Sequence, residues 1–150
     1  MSNLKPSNPK DAYAVAKLPT NLVPSTLLVY ATMAFAEGAS KYGAYNWRIA
    51  GVRMSVYKAA HDRHMEKFWN GERCDPITLV PHLANAIACL AIIADAELCG
   101  MLVDDRPPAA DLPALIAAAE AVISHVRNLN SGLTPHHCTI HDKPLAQKKK

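Results

Sequence analysis

Three short segments of this chain carry side chains that could do chemistry. Ala36-Glu37-Gly38-Ala39-Ser40-Lys41-Tyr42-Gly43 sets a carboxylate four residues from an ammonium. His61-Asp62-Arg63-His64 runs on to Gly71-Glu72-Arg73-Cys74-Asp75, and His82-Leu83-Ala84-Asn85 opens an apolar stretch. Burying carboxylates and imidazoles is costly unless a partner or a metal compensates. So many of them on one set of helices points to a site that holds a metal or a phosphate.

Spacing says how they could meet. Glu37 and Lys41 share a face of one helix, and His61, His64 and Phe68 fall on one stripe of another. His82, Asn85 and Cys89 line one face of a third helix. If the ends of these helices converge, Glu37, Glu72, Asp75, His64 and His82 form one cluster, expected to ligate metal. Glu37, Glu72, Asp75 and His64 are the expected catalytic set. A cluster rich in oxygen donors suits Mg²⁺ or Mn²⁺ better than structural zinc. Such ions clamp phosphate oxygens and help generate a nucleophilic hydroxide. Lys41 and Arg48 could neutralise phosphates. Tyr42, Tyr45 and Trp47 could stack on a base, while Asn46, and Asn85 from the third helix, could contact the substrate.

Taken singly, these residues have plainer readings. Glu37 with Lys41 reads as a surface ion pair, His82 as a hydrogen-bonded core histidine, and Tyr42 and Trp47 as packing residues. Co-occurrence is what favours a site. A second cluster lies in the tail, at His136-His137-Cys138 with His141. Its Cys-x-x-His spacing could ligate zinc. No second pair of ligands stands at finger spacing, however, and the segment is polar and irregular.

The elements that must position these groups read as helices. Pro6, Pro9, Pro19 and Pro24 make residues 1–24 an extended arm. Helix one is expected from about Thr26 to Lys41, stopped by Gly43. After a polar loop over 44–48, Ser55 can cap helix two and Gly71 can end it. Asp75-Pro76 signals the start of a third helix, covering about Leu79 to Cys99. Being apolar nearly all round, this helix should be the most buried. Asp104-Asp105-Arg106-Pro107-Pro108 breaks the chain, and a fourth helix is expected from about Leu112 to Leu129. Strand signals are weak throughout. The expectation is an all-α bundle of four main helices, with a domain over 25–130 and an irregular basic tail over 131–150.

Bulk properties bound the function. At 150 residues with half of them apolar and a net charge of +3, the chain has an ordinary globular composition. Lys148, Lys149 and Lys150 supply much of that charge as a solvated end, so nucleic acid is not an expected partner. Residues 1–9 lack a signal-peptide pattern. The apolar run Ala86–Ala94 is too short for the roughly 20 residues of a membrane span. Cys74, Cys89, Cys99 and Cys138 show no Cys-x-x-Cys spacing, which fits a reduced, cytoplasmic chain. Covering the third helix fully would take a second copy, so a homo-oligomer is expected.

The assembled segments resemble the phage-type dATP/dGTP diphosphohydrolases, relatives of MazG that include the MazZ proteins. The resemblance runs through Asn8-Pro9-Lys10-Asp11-Ala12, Leu22-Val23-Pro24, Ala36 to Gly43, and Asn46-Trp47-Arg48. It continues through Arg63-His64, Gly71-Glu72, Asp75, His82-Leu83, Cys89-Leu90 and Leu102-Val103-Asp104-Asp105-Arg106-Pro107, covering roughly 8–108. It implies an all-α, usually oligomeric pyrophosphohydrolase that uses Mg²⁺ or Mn²⁺ to split a purine deoxynucleoside triphosphate into monophosphate and pyrophosphate, with Lys10 joining Lys41 and Arg48 as an expected phosphate ligand. In the MazZ-type phages the dGMP feeds synthesis of 2-aminoadenine for viral DNA. The chain departs from MazG proteins in lacking their Glu-Glu-x-x-Glu helix. Of their Glu-x-x-Asp motif, Glu72-Arg73-Cys74-Asp75 is a literal match in an apparent loop, and His82-Leu83-Ala84-Asn85 is a version with the acids replaced.

Two other readings stay open at this point. His61-Asp62, with His64, His82 and Asp95 nearby, is the dipeptide of HD-type phosphohydrolases, which release triphosphate. The chain could also be a helical nucleotide sensor without catalysis.

Overall fold

A computed structural model describes residue 10 and residues 17–143. The chain divides into two compact units, Met1–Asp104 and Asp105–Lys150. Most of the expected arm, including Asn8, Pro9, Asp11 and Ala12, lies outside the described residues, as do Lys148, Lys149 and Lys150.

In the first unit a 3₁₀ turn at Thr20–Leu22 leads into helix α1, Ser25–Tyr42. Pro24 sits at the N-cap, extended and without a capping side chain, and Gly43 ends the helix at φ 86°. There its amide donates to the Ala39 carbonyl (3.0 Å), a left-handed stop that suits glycine. The loop expected over 44–48 contains instead a single helical turn, α2 (Trp47–Ala50), closed by Gly51 at φ 74°. Gly51 is needed here: a Cβ would stand 3.0 Å from the Met101 carbonyl oxygen. That close approach brings in two short strands the sequence did not announce, β1 (Val52–Arg53) and β2 (Leu102–Val103), paired in parallel.

Helix α3 spans Met54–Trp69. Its N-cap is Arg53, with no side-chain capping bond, rather than the expected Ser55, which falls inside the first turn. Helix α4 spans His82–Leu98 and packs against both α3 and α1. It supplies His82, Ala84, Ala86, Ala88, Cys89 and Ala96 to the buried set, completed by Ala34 and Val52. Small residues on α4 let the flanking helices approach closely, with Tyr30, Phe35 and Val80 packed around Ala34, Ala84 and Ala88.

The start of α4 departs from expectation. Asp75-Pro76 does not open it. Oδ1 of Asp75 accepts the amides of Ile77 (3.0 Å) and Thr78 (2.9 Å), making an isolated turn. Leu79 then takes φ 61°, which a helix cannot continue, and Pro81 becomes the N-cap. Asp75 N to Val80 O (3.0 Å) and His82 N to Arg73 O (3.1 Å) tie the loop's two ends together.

The second unit contains α5, Leu112–Leu129, capped by Asp111, whose carboxylate accepts the Ala114 amide (3.1 Å). Both ends agree with the sequence expectation. Among the described residues, four main helices and two minimal strands make the all-α class the observed one. No helix among the described residues is long and apolar enough to cross a membrane.

Candidate active site

The first unit carries a cleft of about 610 Å³ where α1, α3, α4 and two loops meet. From α1 come Glu37 and Lys41, four residues and one turn apart, with the ammonium on the carboxylate. Lys41 is held above its usual range by that contact. Tyr42 follows at the rim, Asn46 and Trp47 enter from the N-cap and first residue of α2, and α3 contributes Tyr57 and His64. Asp75 and Thr78 come from the closed loop, and Asn85 and Cys89 from α4. Eight residues singled out from sequence thus line one space: Glu37, Lys41, Tyr42, Asn46, Trp47, His64, Asp75 and Asn85.

Asn46 stands at the N-cap of α2, yet its side chain makes no capping bond, leaving the amide for the cleft. Burial pushes the Cys89 thiol up, which keeps it a neutral packing group. The two bonds from backbone amides hold the Asp75 carboxyl below the usual carboxylate range, so it is ionised in the cleft wall.

Glu72 and His82 do not line the cleft; they stand behind His64. His82 is fully buried, its Nδ1 3.0 Å from Nδ1 of His64 and its Nε2 2.9 Å from Oε1 of Glu72. Lys67 Nζ lies 3.2 Å from the same Glu72 oxygen. His82 and Lys67 together hold Glu72 below the usual range. An ionised carboxylate can only accept, so Nε2 of His82 donates to it. With the Nε2–H of His82 committed to Glu72, the contact between the two Nδ1 atoms is assigned as Nδ1–H of His64 donating to Nδ1 of His82. Burial, and then His82, depress the His64 pKa and favour its neutral form. The chain of bonds therefore leaves Nε2 of the cleft-lining His64 with a lone pair, which could take a proton from water or meet a cation.

Arg48 is also outside the cleft lining. Its Nε and terminal nitrogen bind both oxygens of Asp95 (2.8 and 2.7 Å), and the Trp47 indole N–H donates to the same carboxylate at 2.6 Å. Trp47 is further wedged between Phe35 and Tyr45, with ring centroids 5.5 and 5.4 Å away. Tyr45, at φ 57°, lies under the Arg48 guanidinium at 5.0 Å. Asp95 thus fixes one aromatic wall of the cleft, a role the motif reading missed. A signal was present: Asp95 is the only charged residue between His82 and Ala96, and a lone carboxylate in an apolar run needs a partner.

Lys10 is exposed and does not line the cleft. His61 and Asp62 bond to each other (3.2 Å), with Lys58 on Asp62 at 2.5 Å. Neither reaches the cleft, and Asp95 is committed to Arg48, so the HD constellation is not assembled.

Glu37 and Asp75 bring carboxylate oxygens to the lining and His64 an imidazole, donor types that suit an ion taking one or two protein carboxylates and filling its shell with phosphate oxygens. They do not make a closed cage. Among the described residues, the one trio of His, Cys, Asp or Glu donors within 4.8 Å of one another lies elsewhere, at His136, Cys138 and Asp142.

Residues 7–106 match the family described as dATP/dGTP diphosphohydrolase, N-terminal. That span covers two thirds of the chain, all the cleft residues, and nearly the whole first unit. No curated protein and no solved structure matches the chain. With its matched span coinciding with the unit that builds the cleft, this chain belongs to the dATP/dGTP diphosphohydrolase family, and it is an enzyme.

Proposed function

We propose that this cleft hydrolyses dGTP, and dATP as a second substrate, between the α- and β-phosphates with Mg²⁺ or Mn²⁺, giving the monophosphate and pyrophosphate. The observation that carries this reading is the gathering of Glu37, Asp75, His64, Lys41, Asn46 and Trp47 around one space in the matched span.

Glu37 and Asp75 would hold the ion, which would neutralise phosphate charge and acidify water when bound. His64, set by His82 and Glu72 behind it, presents the Nε2 lone pair and receives the proton of the attacking water. Lys41 binds phosphate oxygens, exchanging part of its contact with Glu37 for them. Trp47, held by Asp95, and Tyr42 stack on the purine, and Asn46 and Asn85 supply amides for its edge or the sugar. Glu72 and His82 accordingly serve as orienting groups.

Leu28, Val29 and Leu98 are 63%, 60% and 88% exposed in the single chain, which supports a homo-oligomer that covers them. The resemblance quoted from the sequence supports a place in phage nucleotide metabolism in the host cytoplasm, with dGMP supplied for 2-aminoadenine DNA.

Incubating the protein with dGTP and Mg²⁺ or Mn²⁺ and resolving products by anion exchange tests the reaction. dGMP with pyrophosphate is expected, abolished by chelation. Deoxyguanosine with triphosphate, or dGDP with phosphate, would refute cleavage at the α–β bond.

A further inference from the structure

The second unit carries its own gathering of donors. After α5 the chain reaches His136-His137-Cys138-Thr139-Ile140-His141-Asp142, a stretch with three of the seven histidines in the sequence. A ring nitrogen of His136, Sγ of Cys138 and a carboxylate oxygen of Asp142 lie within 4.8 Å of one another. This trio is not the Cys-x-x-His pair that spacing alone picks out. Asp142 belongs to it because the chain turns back at Thr139–Asp142, with the Asp142 amide on the Thr139 carbonyl (3.1 Å).

One Asp142 oxygen, Oδ2, accepts the Thr139 amide (2.5 Å) and hydroxyl (3.1 Å). This anchors the carboxylate and leaves Oδ1 on Nε2 of His136 at 2.8 Å. The aspartate therefore arrives already oriented, and the imidazole already aimed at it.

We propose that His136, Cys138 and Asp142 form a site for one zinc-like transition ion. Thiolate, imidazole and carboxylate are the three donor types that Zn²⁺ takes, and a thiolate argues against Mg²⁺ or Ca²⁺. Around a tetrahedral ion with bonds of about 2.0–2.3 Å, donors stand roughly 3.3–3.8 Å apart, so His136 and Asp142, now 2.8 Å apart, open slightly while any pair near the 4.8 Å limit closes by about 1 Å. In doing so His136 and Asp142 exchange their mutual bond for bonds to the ion. His141 from the same turn, or water, takes the fourth position. The site lies outside the span that matches the family and ties residues 136–142 into a metal-closed loop.

The test is a Co²⁺ titration of the untagged, reduced, metal-stripped full chain, read by absorption. Oxygen and nitrogen ligands in the cleft give no thiolate-to-cobalt band, so the readout is independent of turnover. A thiolate band that saturates at one Co²⁺ per chain, is displaced by Zn²⁺ and is absent in Cys138→Ser is expected. His136→Ala and Asp142→Ala should each weaken Co²⁺ binding by more than the roughly 10- to 100-fold that loss of an outer partner costs. Wild type without the band would overturn the site, as would a band that persists in Cys138→Ser and so belongs to Cys74, Cys89 or Cys99.

Discussion

Replacing His82 by leucine removes the link between Glu72 and His64 while keeping a similar volume in a fully buried position. Glu72, 42% exposed, recovers its lost bond from water. His64 does not recover so easily, because its Nδ1–H faces the replaced ring. Leaving a partly buried donor unmet costs about 1–3 kcal/mol. At about 2 kcal/mol, a unit of this size should lose roughly 8–16 °C in Tm, yet remain folded at room temperature. The functional effect is separate. Without the acceptor on His82, nothing keeps the His64 proton on Nδ1 or fixes the ring. kcat should fall by about 10- to 100-fold, the usual cost of losing the partner that orients an imidazole. Thermal melts paired with initial rates of pyrophosphate release, taken where both proteins are folded, read both effects. A variant that melts lower but keeps wild-type kcat would refute the orienting role and reduce the buried pair to a packing element.

Three further outcomes follow from the geometry. Asp95 titrates at about 2 under the influence of Arg48 and Trp47, against an ordinary 3.8. Its depressed value means the clamp contributes stability above pH 3.8 and loses it as pH falls toward 2. Trp47 fluorescence should therefore hold through pH 3.8 and change near pH 2, while Asp95→Asn shows the altered signal at neutral pH; identical wild-type and variant spectra would sink this. Gly51→Ala should lower stability by about 1–2 kcal/mol, from its positive φ and the Met101 carbonyl, as measured by urea titration. Lys41→Ala should raise KM for dGTP at least about tenfold, the loss of roughly 1.4 kcal/mol of binding, with a smaller change in the inhibition constant of deoxyguanosine, which lacks phosphates.

Much of this architecture was legible in the sequence because the helices carry their own punctuation. Gly43 after a periodic run and Asp111 before an alanine-rich one mark real ends. Leu79 and Val80 are apolar and extend the helical pattern backwards, past the true start of α4 at His82. A left-handed Leu79 and the pairing of residues 73 and 82 are tertiary facts that no local pattern announces. The same loop decides which acid reaches the cleft. Glu72 and Asp75 look equivalent in sequence, yet the turn at Asp75 keeps that carboxylate in the wall while Glu72 meets His82. The charge of Arg48 and its nearness in sequence to Glu37 and Lys41 suggest a phosphate ligand. Its actual partner stands 47 residues away on α4, and only the fold brings the two together.

The central claim is that cleft carboxylates carry the reaction, and Asp75→Asn tests it most directly. Asparagine keeps an Oδ1 that can accept the Ile77 and Thr78 amides, so the loop survives while the charge is lost. Measured beside wild type with dGTP and Mg²⁺ or Mn²⁺, the variant should melt normally and release no dGMP above background. Wild-type rates of dGMP release from a folded Asp75→Asn protein would contradict the account and move the active centre away from this cleft.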